Sequence, residues 1–193
     1  VEISVVAGNF VTARPIGVLA GADHLFTGRM RNVDTARVNT LLDAGSIVLM
    51  SPMGYSSSGQ AFNLAAEELA ADVSVALNAD KLIMLDELNH LTNASGQRES
   101  TATPTSLQIL IGANEQISTT TRLRLDTMIQ AVRGGVTKAH IISFQEDGGV
   151  LQELFTADGV GTQVLEETTG PVRPAKFEDV SDIVEIIRPL EEA

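Results

Sequence analysis

The stretch GGVTKAHIISFQEDGGVLQELFTADGVGTQVL, residues 134–165, contains three predicted elements separated by turns that contain glycine. Residues 139–144 form a short apolar run, which is typical of a strand buried on both faces of a sheet. Residues 150–155 predict a short helix, and residues 160–165 continue the alternation. This order is typical of an α/β fold.

The same alternation extends toward the N-terminus. Apolar runs predict strands at residues 2–7, 47–50 and 81–85, and apolar residues at helical spacing predict helices at 34–45, 63–77 and 107–132, the last in one or two pieces. Residues 8–31 are a polar stretch that contains glycine, and residues 89–105 predict an exposed loop. The order predicts a mainly parallel sheet with helices on both faces. Ligands are then expected beyond the carboxyl ends of the strands, in the loops after residues 6, 50, 85 and 144.

The composition restricts the kinds of partner. The chain has 25 acidic residues against 13 Lys and Arg, a formal net charge of −12. Such a surface repels phosphate backbones, and with 4% aromatic residues and no Trp the chain has few side chains on which bases stack. No apolar run approaches the roughly 18 residues of a membrane span. We therefore predict neither nucleic-acid nor membrane binding.

Cysteine is absent and there are only three His residues, so the sequence shows no metal-ligand cluster. We therefore expect no metal. Residues 1–6 have neither the basic leader nor the cleavage site of a signal peptide. A reducing, cytoplasmic location is the expectation that fits both features.

The amino-acid composition changes after Glu166. Residues 167–174 have few apolar residues and two prolines, which predicts a linker. Residues 175–193 predict one more amphipathic helix, which cannot bury its apolar stripe by itself. They are either the opening of a second domain or a helix that packs on the first domain.

Four segments together resemble one protein family. They are residues 134–165, quoted above, VRPAKFEDVSDIVEIIRPLEE at 172–192, GNFVTARPIGV at 8–18 and FNLAAEELA at 62–70. In this order and spacing they resemble the bacterial N-acetylglutamate synthases, which begin arginine biosynthesis. The resemblance is weakest over residues 89–118. LQELFTADGVGT by itself also fits arginine-sensitive N-acetylglutamate kinases, whereas IIRPLEE after a linker is typical of the synthases.

The resemblance implies a two-domain parent enzyme that transfers acetyl from acetyl-CoA to L-glutamate. Residues 1–166 would be an amino-acid-kinase-like domain, without its N-terminal part, that binds L-arginine as a feedback inhibitor. Residues 175–193 would be the start of a GNAT-type acetyltransferase domain. The acetyl-CoA and glutamate sites would then lie outside this chain, so we expect the chain alone to be inactive. The family also implies a homo-oligomer, a hexamer.

The resemblance further implies a kinase site that no longer works. Related kinases use lysines and an ordering aspartate, and here Glu67 stands at the aspartate's position and Arg124 at that of a late lysine. Asn63 and Arg14 would be remnants of the kinase substrate site. A helix N-cap and a surface charge, respectively, are equally good interpretations of those two residues.

For the effector, the resemblance selects Glu153, Gly159, Gly161 and His140. A carboxylate suits a guanidinium, and backbone N–H groups of a glycine turn suit an α-carboxylate. His140 would add a polar contact at the end of its strand. Without the family, Glu153 is a solvated acid, the glycines are ordinary turn residues and His140 is a core residue.

Three functions remain open from the sequence. The first is an N-acetylglutamate synthase, represented here by its arginine-sensing domain. The second is an arginine sensor that has no catalytic partner, and the third is an active N-acetylglutamate kinase.

Overall fold

The computed structural model describes residues 3–87, 91–92, 96–113, 117–156 and 159–166. Fourteen strands lie in these ranges: β1 (Val5–Ala7), β2 (Val11–Pro15), β3 (Val18–Leu19), β4 (Ala22–Asp23), β5 (Gly28–Val33), β6 (Ile47–Leu49), β7 (Met53–Tyr55), β8 (Ala61–Asn63), β9 (Lys81–Asp86), β10 (Leu91–Thr92), β11 (Arg98–Glu99), β12 (Thr101–Ala102), β13 (Lys138–Ser143) and β14 (Thr162–Val164). The helices in these ranges are α1 (Thr35–Asp43), α2 (Ala66–Ala76), α3 (Pro104–Ala113), α4 (Thr119–Arg133) and α5 (Gly149–Phe155). The predicted linker at 167–174 and the predicted second domain at 175–193 lie outside the described residues.

The predicted α/β class is confirmed, but the sheets are mixed. One four-stranded sheet has the order β12-β14-β13-β9, in which β13 is parallel to β9 and antiparallel to β14. A second has the order β5-β2-β7-β8, where β2 runs antiparallel to β5 and parallel to β7. Strands β1 and β6 form a separate parallel pair. The sheets are less parallel than predicted because residues 8–31, expected as a polar stretch, contribute β2 to β5, and because β14 runs antiparallel to β13.

Two other segments depart from the sequence-based prediction. The expected loop at 89–105 contains β10, β11, β12 and the start of α3. Asn63 ends strand β8, and Ala65 is the N-cap of α2, so the interpretation of Asn63 as an N-cap is wrong. The helix predicted at 34–45 is observed as α1 with Asp34 as its N-cap, whose side chain accepts a hydrogen bond from the N–H of Arg37.

Helices cover both faces of the sheet that contains β13, as predicted. Alternate residues of β13 point to opposite faces. Ala139 and Ile141 belong to a buried cluster with residues of α4, such as Leu125 and Met128. On the other face, Ile142 lies beside Gly149 at the start of α5. A second buried cluster, around Phe10, Val38 and Phe62 among others, joins the β5-β2-β7-β8 sheet to α1 and α2. The described helices are all too short or too polar to cross a bilayer.

Leu125 is the most informative position for testing the first core cluster. Its side chain is fully buried, with 0% exposure, whereas Ile109 on α3 is 68% exposed. We expect Leu125→Ala to lower the free energy of unfolding by about 2–5 kcal/mol, because the cavity left in α4 cannot collapse fully. Ile109→Ala is the control and should change it by less than about 0.5 kcal/mol. Urea denaturation measures both, and equal effects would contradict the described core.

Candidate functional site

The side chain of Glu153 connects three consecutive parts of the chain. Its Oε1 accepts a hydrogen bond from Nδ1 of His140 on β13, at 2.7 Å. Its Oε2 accepts from the backbone N–H of Val160 at 2.7 Å and of Gly161 at 2.8 Å. The side chains of Glu153 and His140 are each only 5% exposed. Glu153 is therefore not a solvated acid, and α5 holds its carboxylate against the sheet and against the turn before β14.

His140 lies in the middle of β13, where it pairs with Ile83 and Gln163, and not at the end of its strand as expected. An ionised carboxylate can only accept, so Nδ1 of His140 carries the proton that is shared with Glu153. In the neutral ring, Nε2 is then an acceptor. Nε2 is buried and has no hydrogen-bond partner among the described residues. Burying a nitrogen without a hydrogen bond costs free energy, unless a ligand or a water molecule donates to it.

Gly159 and Gly161 make room for the carboxylate and the sheet. Gly159 has a φ of +54°, and a Cβ there would lie 2.5 Å from Oε2 of Glu153. A Cβ at Gly161 would overlap the carbonyl oxygen of Ile141. Both positions therefore require glycine for close approach, and Gly159 also for its conformation. From the sequence we expected the N–H groups of this turn to bind a ligand carboxylate, whereas in the structure those of Val160 and Gly161 donate to Glu153.

Glu153 is held in its charged form. Burial by itself raises the pKa of its carboxyl, but the hydrogen bonds from His140 and from the N–H groups of Gly161 and Val160 outweigh burial. The pKa of Glu153 therefore lies below the ordinary value for glutamate. The site keeps a negative charge at neutral pH.

A cavity of about 330 Å³ lies beside this network. Three of the four predicted effector residues, His140, Glu153 and Gly159, line it. The remaining lining is mainly polar: Lys81, Ser100, Thr101, Lys138, Leu154, Thr156 and Gln163. The size is that of a small-molecule site.

The two lysines of the cavity were not predicted from the sequence. Lys81 begins β9 and Lys138 begins β13, and the two are paired in register. Neighbouring ammonium groups repel each other, so their pairing favours an anionic group between or near them. The available signal was that Lys81 begins the strand predicted at 81–85 and that Lys138 directly precedes the strand predicted at 139–144.

The cavity also lies at an unexpected end of the sheet. Because Lys81 and Lys138 begin their strands, the cavity is close to the amino ends of β9 and β13. The general rule for open α/β sheets pointed to the carboxyl ends, in the loops after residues 85 and 144. The glycine turn and α5 close over the face of the sheet here, which creates a concave site away from those loops.

A second polar cluster occupies the carboxyl end of β9. Arg124 Nη1 donates to Oδ2 of Asp86 at 2.6 Å, and Arg124 Nε lies 3.5 Å from Oε1 of Glu67. Thr121 donates its hydroxyl to Oδ1 of Asp86 at 3.2 Å. The structure thus brings together Glu67 and Arg124, two of the four residues assigned to a vestigial kinase site. It adds Asp86, which was not predicted from the sequence.

Arg14 and Asn63, the other two residues of that set, lie in the β5-β2-β7-β8 sheet. Arg14 is on β2, paired with Arg29 of β5, and both line a separate cavity. Asn63 on β8 donates its backbone N–H to the carbonyl of Phe26. Neither has a described hydrogen bond or ion pair to the Asp86 cluster. In the described part of the chain, no group of three or more His, Asp or Glu side chains is arranged to hold a metal ion.

Two relatives are similar in sequence over nearly the whole chain. An amino-acid acetyltransferase of Pseudomonas fluorescens is 47% identical and one of Aeromonas salmonicida is 43% identical, each over 99% of this chain and 44% of its own length. The chain therefore spans less than half the length of these relatives.

A solved structure is similar in three dimensions. The N-acetylglutamate synthase of Neisseria gonorrhoeae, complexed with coenzyme A and L-arginine, superposes with a TM-score of 0.83 at 38% identity. The match covers 97% of this chain and 44% of that one. The family described as the amino acid kinase family matches residues 3–143, which include every strand of both four-stranded sheets except β14. This chain belongs to the amino acid kinase family.

Proposed function

We propose that this chain is the arginine-binding regulatory domain of an N-acetylglutamate synthase. The observation that carries the proposal is the buried Glu153 carboxylate at the wall of a polar cavity. The similarity to a synthase that was solved with L-arginine supports it. The parent enzyme would transfer acetyl from acetyl-CoA to L-glutamate, at sites outside this chain.

The cavity has acceptors for a guanidinium. Glu153 already accepts three hydrogen bonds, and a carboxylate has about four acceptor positions. One position therefore remains for a ligand N–H. His140 lines the same cavity, and its Nε2, an acceptor in the neutral ring, would gain a partner if a ligand donor reached it. The planar fork of arginine can serve both acceptors.

The α-carboxylate of the ligand would lie near Lys81 and Lys138. The N–H groups of the glycine turn are engaged by Glu153, so they are not available to it without rearrangement. The two ammonium groups provide positive charge in the same cavity that contains Glu153. This separation of charges fits an amino acid that is cationic at one end and anionic at the other.

Kinase activity is the less favoured function. Phosphoryl transfer needs cations that are free to approach the transferred group. The guanidinium of Arg124 instead contacts Asp86 and Glu67, which neutralise it. This supports a domain that has kept the fold of a kinase without its reaction.

Residues 167–174 would be the linker to the acetyltransferase domain that begins at 175–193. The parent protein would be cytoplasmic and a homo-oligomer, a hexamer as the family resemblance implies. The sequence encoded beyond residue 193 would discriminate the synthase from a sensor without a catalytic partner. Acetylation of glutamate by the full-length protein distinguishes the two.

A panel of ligands tests the proposed function directly. We expect L-arginine to raise the melting temperature of this chain, since at 100 times its Kd a ligand stabilises the fold by about 2.7 kcal/mol. L-Lysine should stabilise it less because it lacks the planar fork, and ATP and acetyl-CoA should have no effect. Glu153→Gln should weaken arginine binding at least about tenfold, since a hydrogen bond to a charged group is lost. The matched control is Glu146→Gln, at an exposed acid just before α5. Stabilisation by ATP alone would favour the kinase instead.

Arginine affinity should also depend on pH through Glu153. The carboxylate is charged above its pKa, which is lowered, so binding should persist below the pKa of an ordinary glutamate. Loss of the charge on Glu153 should weaken binding as the pH drops through that lowered pKa. Calorimetry at a series of pH values measures this. An affinity that decreases already well above the ordinary glutamate pKa, with the same profile in Glu153→Gln, would show that another group controls binding.

The assignment of the lysines is tested with two ligands. Lys81→Met and Lys138→Met should each weaken L-arginine binding about tenfold, because each removes a charged partner of the α-carboxylate. Agmatine, which is arginine without its carboxylate, should bind these variants at least as tightly as the unchanged chain. Equal losses for both ligands would mean that the lysines support the fold and do not recognise the carboxylate.

A further inference from the structure

We infer that Arg98 is a positioning residue that holds the Gly159–Gly161 turn and thereby sets the affinity of the cavity for its ligand. The inference rests on the proposed function and adds a residue outside the predicted effector set. Arg98 lies on β11, in the region where the family resemblance is weakest.

Arg98 binds the turn through its carbonyl groups. Its Nη2 donates to the carbonyl oxygen of Gly159 at 3.2 Å and to that of Gly161 at 3.0 Å. One nitrogen therefore bridges two carbonyls on either side of Val160. Hydrogen bonds from a guanidinium are charge-assisted and stronger than those between neutral groups.

The same turn is held by Glu153 through its N–H groups. Oε2 of Glu153 accepts from Val160 and Gly161, so a carboxylate binds the donors of the turn while a guanidinium binds its acceptors. The two charged side chains fix the orientation of the peptide groups between them. Since Gly159 has a positive φ and no side chain to restrict it, the turn depends on such external contacts.

A second contact ties the turn to β11. Thr162, the first residue of β14, donates its hydroxyl to the carbonyl of Glu99 at 2.6 Å. The two residues of β11 therefore hold the chain on both sides of Gly161. These contacts therefore fix the turn relative to the first residue of β14.

Arg98 acts through the turn and not on the ligand. It is not among the residues that line the cavity, whereas Gly159 and Glu153 are. If Arg98 releases the carbonyls, the N–H groups of the turn lose their fixed direction. The carboxylate of Glu153 then loses its fixed position. Partners one step removed from a ligand commonly change affinity by about tenfold or more when they are removed, as at metal sites.

The test compares Arg98→Met with Arg133→Met. Among the described residues, the side chain of Arg133 on α4 makes one hydrogen bond, from Nη2 to Oε1 of Gln108, and Arg133 is not among the residues lining the cavity. Amide hydrogen exchange without ligand is expected to become faster at Val160 and Gly161 in Arg98→Met only. Calorimetry is expected to show arginine binding weakened about tenfold in that variant. Urea denaturation should give similar unfolding free energies for both variants, which separates positioning from general stability.

Exchange and affinity equal to those of the unchanged chain in Arg98→Met would overturn the inference. So would faster exchange with unaltered affinity. If Arg98→Met does not fold, Arg98→Gln, which keeps a single donor group, replaces it and is expected to show both effects in smaller measure. Failure of the unchanged chain to bind arginine would instead refute the proposed function, while the exchange result would still report whether Arg98 holds the turn.

Discussion

The burial of the Glu153 carboxylate is the constraint on which the site depends. A buried carboxylate needs hydrogen-bond donors, and here it has three, from His140 and from two backbone N–H groups. To provide them, the chain must pass very close to the acid after α5. This explains why the motif E-x5-G-x-G, residues 153–161, has glycine at both later positions: a side chain at 159 would collide with the acid, and one at 161 with β13.

The surroundings of this acid give the cavity an uneven distribution of charge. The carboxylate of Glu153 is stabilised by His140 and by two backbone N–H groups, and it has no described ion pair with Lys or Arg. Lys81 and Lys138 begin neighbouring strands and line the same cavity. In a chain with a net charge of −12, two lysines paired in register mark this end of the sheet as locally positive. The combination suits a small ligand that has opposite charges at its two ends.

The carboxyl end of β9 has the opposite character. Asp86 is 2% exposed, and its charge is compensated by Arg124, which also lies near Glu67 of α2. Taking a charge out of water is costly unless it is paired, so these three side chains depend on one another and connect β9, α2 and α4. A cation engaged in this way is poorly placed to receive a phosphate. Strand β9 therefore ends at a paired ionic cluster and begins at an open cavity. This arrangement supports the proposed regulatory role and not a role in phosphoryl transfer.

Local patterns in the sequence were sufficient for the long elements. The strand expected at 139–144 is observed at Lys138–Ser143 and the helix expected at 150–155 at Gly149–Phe155, because an apolar run and helical spacing are recorded within a few neighbouring residues. The short strands at 8–33 and 89–105 were missed, since each of them is defined by pairing with a partner elsewhere and not by its own periodicity. Asn63 was misread for the same reason, because its strand is set by pairing with β7.

By itself, the sequence determined the α/β class, the acidic surface and, through a family motif, which acid and glycines belong together. Only the tertiary structure decided which donor meets which acceptor, as when it placed Arg98 on carbonyls up to 63 residues away. Hydrogen bonds of this kind join side chains to backbone groups that are distant in the chain. Their partners are selected by packing in three dimensions, which periodicity and composition do not record.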